Sequence, residues 1–236
     1  MVLVRGGAAS IGSELCRQVI NFGCKHLIIY DQHENGMFFL NQEFAAKYDT
    51  SVYTLVIGTV RERDKLTEVL AEYKPDIIFH AAAYKHVPMM EISATEAIKN
   101  NVFGTLNVIE CAEKAGVKKF VLISTDKAVN PSNIMGASKR IAEMVIETRG
   151  KSMKMKMAAV RFGNVLGSNG SVIPIFYSRF VRAVPLRLPT DTLSVTLCPF
   201  PKRSDWCFKR ARLPTTARFL CWTWATPFTF TTLRAT

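Results

Sequence analysis

Short apolar runs recur along the first two thirds of the chain, at residues 2–4, 26–30, 52–57, 76–80, 120–123 and 157–161, and each gives way to a longer amphipathic stretch. The first run enters the turn Gly6-Gly7-Ala8-Ala9-Ser10-Ile11-Gly12, after which Glu14, Leu15, Gln18, Val19 and Ile20 repeat with helical spacing. Apolar runs of strand length alternating with helical patterns predict right-handed βαβ crossovers, and so an α/β fold with a doubly wound parallel sheet. No self-similarity of solenoid period is present.

The chemistry-bearing residues cluster where strands end, which in such a sheet is the edge that binds ligands. A glycine turn that opens a helix exposes backbone N–H groups to a pyrophosphate, and the helix dipole adds to the attraction. Taken alone the turn is equally a structural one. Asp31 closes the second run nineteen residues beyond Gly12, where a carboxylate can accept from adenosine ribose hydroxyls and repel a 2′-phosphate; the competing reading is a loop or cap residue. Ala81, Ala82 and Ala83 after His80 offer small side chains for a flat ligand, or for tight helix packing. Lys85 and His86 follow near the same edge, where a solvated loop is the alternative, and Asn100-Asn101 on the next helix could cap or bridge. The fifth run leads into Ser124-Thr125-Asp126-Lys127, with Met135-Gly136-Ala137-Ser138-Lys139 eight positions after its Lys. An acid and an amine side by side at a strand end are candidates for proton transfer beside a cofactor; otherwise they form a surface ion pair.

Several long motifs stand in a fixed order: Gly6 to Gly12; His80-Ala81-Ala82-Ala83-Tyr84-Lys85-His86-Val87-Pro88; Asn100-Asn101-Val102-Phe103-Gly104-Thr105; Ser124-Thr125-Asp126-Lys127-Ala128-Val129-Asn130-Pro131; and Arg161-Phe162-Gly163-Asn164-Val165-Leu166-Gly167-Ser168. Residues 2–182 with these motifs resemble the polysaccharide-biosynthesis branch of the extended short-chain dehydrogenase/reductases, and within it the inverting nucleotide-sugar 4,6-dehydratases that act on UDP-N-acetylglucosamine. The resemblance implies a Rossmann-type domain over residues 1–182 that binds NAD through Gly6, Ala9, Ser10, Ile11, Gly12, Asp31, Ala81, Ala82, Ala83 and Lys139. It implies a UDP-sugar substrate met by Lys85, His86 and Asn164, with Thr125 positioning the sugar. It also implies a cycle in which hydride leaves sugar C4 and returns to C6, Lys127 removes the C5 proton and Asp126 protonates the departing C6 hydroxyl. Such a pair needs burial to bring its protonation preferences toward neutral pH.

Four positions depart from the wider pattern. Most short-chain dehydrogenases carry tyrosine where this chain has Met135, which cannot transfer a proton; the larger membrane-anchored dehydratases of this branch are similar in carrying Met there. An NDP-sugar epimerase would share the cofactor site but normally keeps the tyrosine. The other three are Arg5 for Thr, Ala9 for Gly and Thr59 for Asp. A methyl at Ala9 is expected to crowd a pyrophosphate or to demand a forbidden φ.

Composition changes the picture only beyond residue 182. The chain carries +12 over 236 residues, yet residues 183–236 supply eight Lys and Arg against two Asp, a net of +6. That segment holds all three tryptophans, six of ten prolines and none of thirteen glycines, whereas an α/β domain needs glycine at its turns. Half of the basic excess therefore comes from under a quarter of the chain, and no nucleic-acid partner is expected. Rereading each codon from the third base of the one before, the single Trp codon forces Val at Trp206-Cys207, Asp at Trp222-Thr223 and Gly at Trp224-Ala225, all in keeping with the family's pattern. Residues 183–236 are accordingly expected to be out of frame, in place of the small substrate domain. The six cysteines lack C-x-x-C pairs and metal-ligand spacing, so buried thiols and no metal site are expected. No run approaches the ~20 apolar residues of a spanning helix, and no leader precedes the first strand; the chain reads as soluble and cytoplasmic, without a membrane partner. The sequence does not fix an oligomeric state, and a homo-oligomer is compatible with it.

Overall fold

The computed structural model describes residues 1–165 and 168, together with the backbone of three strands at 193–198, 219–220 and 227–230. Strands β1 (Val2–Arg5), β2 (Leu27–Asp31), β3 (Tyr53–Ile57), β4 (Ile77–His80), β5 (Lys119–Thr125) and β6 (Lys156–Phe162) form a parallel sheet in the order β3-β2-β1-β4-β5-β6. Between them run α1 (Ser10–Asn21), α2 (Glu34–Lys47), α3 (Arg63–Tyr73), α4 (Val87–Ile92), α5 (Ala94–Ala97), α6 (Gly104–Lys114) and α7 (Ile134–Arg149). This is the doubly wound Rossmann arrangement the apolar pattern predicts. The strands differ from the expected runs by a residue or two at their ends. The difference that matters is at β5, which continues through Ser124 and Thr125 because they pair in register with Arg161 and Phe162 of β6.

Successive strand residues point to opposite faces, so each strand feeds two cores. Leu3, Ile28, Ile78, Phe120 and Leu122 pack with Leu66, Leu70, Val108, Ile109 and Ile146 of α3, α6 and α7. Val4, Ile29, Phe79, Val121 and Ile123 pack with Leu15, Val19, Leu40 and Phe44 of α1 and α2. Burial on both faces is why the strands read as continuous apolar runs without alternation.

The strand order reverses at β1, which pairs with β2 on one side and β4 on the other: Arg5 stands opposite Tyr30 in the one and His80 in the other. Crossovers leave the sheet in opposite directions there, opening a crevice at the carboxyl ends of β1 and β4. Local chemistry sets the helix starts around it. Asn133 caps α7 by accepting the Gly136 N–H at 2.8 Å, and His33 Nδ1 accepts the Gly36 N–H at 3.1 Å at the head of α2. Before α6 the chain makes a π-helical segment, Ile98–Phe103, that buries the consecutive residues Asn100 and Asn101.

Beyond residue 165 the backbone of β8 (Leu193–Cys198) pairs parallel with β7 (Asn164–Val165) and antiparallel with β10 (Pro227–Phe230), and β9 (Phe219–Leu220) extends the main sheet beside β6. Three short strands thus arise within the segment expected to be out of frame; its remaining residues lie outside those described. Cys16 and Cys111 are buried free thiols and Cys24 is half-buried; Cys198, Cys207 and Cys221 fall outside the described side chains. Among the described residues no helix is long and apolar enough to cross a membrane.

Candidate active site at the carboxyl edge of the sheet

Gly6 adopts φ +78°, and a Cβ there would lie 2.6 Å from the Ala82 backbone nitrogen. Only glycine lets the β1 turn close against the loop after β4. Gly12 serves the same contact from the helix side, since a Cβ on it would strike the Gly6 carbonyl. Ala9 is the N-cap of α1, with φ −81° and ψ 162° and no side-chain cap bond. That conformation is open to any L-residue, so the backbone conflict expected at Ala9 does not arise; what remains of the expectation is the methyl itself, which lines the cleft. Ser10, Ile11 and Gly12 form the first turn behind it, at the positive end of the helix.

Asp31 is held by two backbone donors: Oδ2 accepts from Ala8 and Oδ1 from His33, both at 2.9 Å. Each oxygen keeps a lone pair for a further donor. Two clefts share Ala9 and Asp31. One runs over Arg5, Gly6, Val60, Ala81, Ala82 and Ala83; the other, of about 490 Å³, lies between α1 and α2 beside Ser13, Arg17, His33 and Phe39. A glycine cradle and an uncapped helix N-terminus as donors, with a fixed carboxylate as acceptor, are the set a dinucleotide requires, and these residues fit one.

Past Thr125 the chain makes a single 3₁₀ turn, Asp126–Ala128. Thr125 Oγ1 donates to Asp126 Oδ1 at 2.9 Å and accepts the Lys127 N–H at 3.4 Å. Lys127 Nζ reaches Asp126 Oδ1 at 3.3 Å and Asn164 Oδ1 at 3.0 Å. The fold therefore brings together four of the expected residues. Thr125, expected to position the sugar, here gives its hydroxyl proton to Asp126. Burial of the pair does not follow from the described residues, which leave Lys127 36% and Asp126 43% exposed, because the turn projects from the sheet edge. Gly136 explains how α7 comes so close: a Cβ there would sit 2.5 Å from the Lys127 carbonyl. Lys85 and His86 lie exposed on the neighbouring loop after β4, with His86 at the N-cap of α4.

Met135 is buried with Met90 and Ala97, and its thioether offers no proton to the site. Lys139 is also buried, and its ammonium donates to the Ile123 carbonyl at 2.7 Å.

Two supports were not assigned from the sequence. Glu143, fully buried, accepts from Ser124 Oγ and Arg161 Nε, each at 2.7 Å, and pairs with Arg140 at 3.3 Å. It ties α7 to the ends of β5 and β6 beneath the Asp126–Ala128 turn. The signal was there in Arg161, a charge inside an apolar strand run that must find a buried partner. Asn101 accepts the Tyr84 N–H at 2.8 Å, donates to the Tyr84 carbonyl at 3.1 Å and donates to Ser138 Oγ at 3.0 Å. Of the two roles left open for Asn100-Asn101, bridging is the one Asn101 takes.

Burial lowers the Lys139 ammonium from 10.5 to about 8, with Glu143 opposing the shift. Between those values the unfolded chain holds a proton the folded chain has released, so this group adds stability as pH rises and subtracts it below about 8. Relative to Lys139→Met, the wild type should gain roughly 3 kcal/mol across that window, read by urea unfolding at both ends; a constant difference would refute the assignment.

A family profile described as polysaccharide biosynthesis protein matches residues 2–193. The chain is 45% identical over 204 residues to the probable polysaccharide biosynthesis protein EpsC of Bacillus subtilis, covering 86% of this chain and 34% of the relative. It is 34% identical over 196 residues to an inverting UDP-N-acetylglucosamine 4,6-dehydratase of Campylobacter jejuni, covering 81% and 57%. Among solved structures, Pen from Bacillus thuringiensis superposes with a TM-score of 0.85 at 31% identity, covering 91% of this chain and 66% of that one. The chain thus spans from a third to just over half the length of these curated relatives. With the glycine cradle, the Asp126–Lys127 turn and Met135 all at the switch-point edge, the chain belongs to the polysaccharide biosynthesis protein family of extended short-chain dehydrogenase/reductases.

Proposed function

We propose that residues 1–182 are the NAD-binding and catalytic portion of a nucleotide-sugar 4,6-dehydratase that converts UDP-N-acetylglucosamine to a 4-keto-6-deoxy sugar in polysaccharide or glycan biosynthesis. The observation that carries this reading is the hydrogen-bonded set Asp126, Lys127 and Asn164 at the end of β5, beside a dinucleotide cleft and with no phenol at position 135. NAD would supply the hydride acceptor and donor. Gly6, Gly12 and the first turn of α1 would hold its pyrophosphate, Asp31 its adenosine ribose and Lys139 its nicotinamide ribose.

Proton balance assigns the remaining roles. Loss of water requires the C4 hydroxyl proton to end on the departing C6 hydroxyl. A single carboxylate can take the first and give it to the second, and we assign both transfers to Asp126. Lys127, acting in its neutral form, removes the C5 proton once the C4 ketone has acidified it, and C5 regains a proton as hydride returns to C6. Thr125 holds the Asp126 carboxyl and Asn164 holds the Lys127 amine. Met135 leaves the C4 proton to Asp126, or to water, where an epimerase would use its tyrosine. The activity is tested by incubating a frame-restored chain with UDP-N-acetylglucosamine and identifying the product. A 4-keto-6-deoxy sugar supports the dehydratase, a C4 epimer indicates the epimerase, and no turnover with NAD bound indicates a non-catalytic remnant.

Lys127→Ala in that chain should abolish turnover and solvent deuterium uptake at C5 while NAD stays bound; unchanged uptake would remove Lys127 from the chemistry. NAD should bind more tightly than NADP, since the Asp31 carboxylate faces the position of a 2′-phosphate, and the reverse order in a titration would refute that placement. We also propose that residues 183–236 are translated out of frame. Limited proteolysis should then cut that segment first, and a protease-resistant tail would overturn the frame reading.

A further inference from the structure

Arg5 is 2% exposed, and its Nε and Nη1 find no hydrogen-bond partner among the described residues. The guanidinium lies over the Tyr30 ring, 4.1 Å from its centroid, and lines the cleft that contains Asp31, Val60 and Ala81–Ala83. Burial lowers its pKa from 12.5 to about 10, with Tyr30 and Asp31 opposing the shift. A cation sealed from water and left unpaired is costly unless something else answers its donors. His80, opposite Arg5 in register, answers at most one of them. The Thr105 hydroxyl gives its proton to the Asn101 carbonyl at 2.7 Å, so His80 Nε2 must donate to Thr105 Oγ1 at 3.0 Å, which leaves Nδ1 a bare acceptor without a partner. One acceptor set against several N–H groups leaves most of them unanswered, in a residue that lines the cleft.

We infer that Arg5 is a specificity residue at the floor of this cleft, donating hydrogen bonds to the purine base of a bound adenine dinucleotide. The inference rests on the dinucleotide reading above. With the adenosine ribose at Asp31, the base enters the slot that Val60 and the three alanines line, with Gln32, Tyr84 and Asn100 at the same cleft. Arg5 is the one cation of this lining: a planar, donor-only group matched to the in-plane acceptor nitrogens of a purine. Its position carries threonine in the family pattern, so this contact is a property of the present chain.

The test uses the whole chain, as wild type, Arg5→Met and Arg5→Thr. Affinity for ADP-ribose should fall about tenfold or more in both variants, with a similar loss for adenosine, which has no phosphate, and none for nicotinamide mononucleotide, which has no adenine. The free Arg5→Met protein should melt at a higher temperature than wild type, because an apolar side chain replaces an unpaired buried charge. Equal ADP-ribose affinity in wild type and variants would overturn the role of Arg5 alone. Loss for ADP-ribose without loss for adenosine would move the contact to phosphate and overturn it as well. A wild type that binds no adenine ligand would overturn the dinucleotide reading and this inference with it.

Discussion

The site depends on a contact that tolerates no side chain. Where β1 ends, Gly6 passes so close to the loop after β4 that a single methyl would meet the backbone of Ala81 and Ala82. Two loops that diverge from the switch point are thereby kept at van der Waals distance. Gly12 continues the packing by letting α1 begin against the Gly6 carbonyl. The arrangement aims the helix N-terminus and Asp31 into one crevice, and loosening it would separate groups expected to hold adjacent parts of one ligand.

On the other side of the crevice the Asp126–Ala128 turn is half-buried, and its geometry is imposed from below. Glu143 is the buried counter-ion that joins the ends of β5 and β6 to α7, and Gly136 lets the head of α7 rest against the Lys127 carbonyl. Removing one partner from such a buried network would leave an uncompensated charge, a loss on the order of 3–5 kcal/mol.

Much of this was legible in the sequence because it rests on local rules. Apolar run length gave the strands, and the two-sided burial of a parallel sheet gave their unbroken character. The glycine turn followed from backbone chemistry, and the place of Asp31 at the end of β2 from the apolar run before it. What escaped were contacts between residues far apart in sequence whose types fit several roles. Asn101 could have been a cap, and only the π-helical segment that rotates it inward makes it a bridge. Glu143 reads as one of many helix surface acids until Arg161 and Ser124 close on it. Ala9 was misjudged in part because a glycine pattern was taken to require glycine's φ, whereas the chain there is extended. The exposure of Asp126 and Lys127 was hidden because strand β5 runs further than its apolar residues do.

The clamp on Tyr84 has a consequence for how the sheet ends. A primary amide carries the same donor and acceptor as a peptide group, and Asn101 turns both toward one residue's N–H and carbonyl. The side chain thus acts as a one-residue fragment of a neighbouring strand, carrying ladder pairing past the last true strand partner of β4. An isosteric aspartate would keep the acceptor for the Tyr84 N–H and lose the donor to its carbonyl, so half of this pairing rests on a single nitrogen.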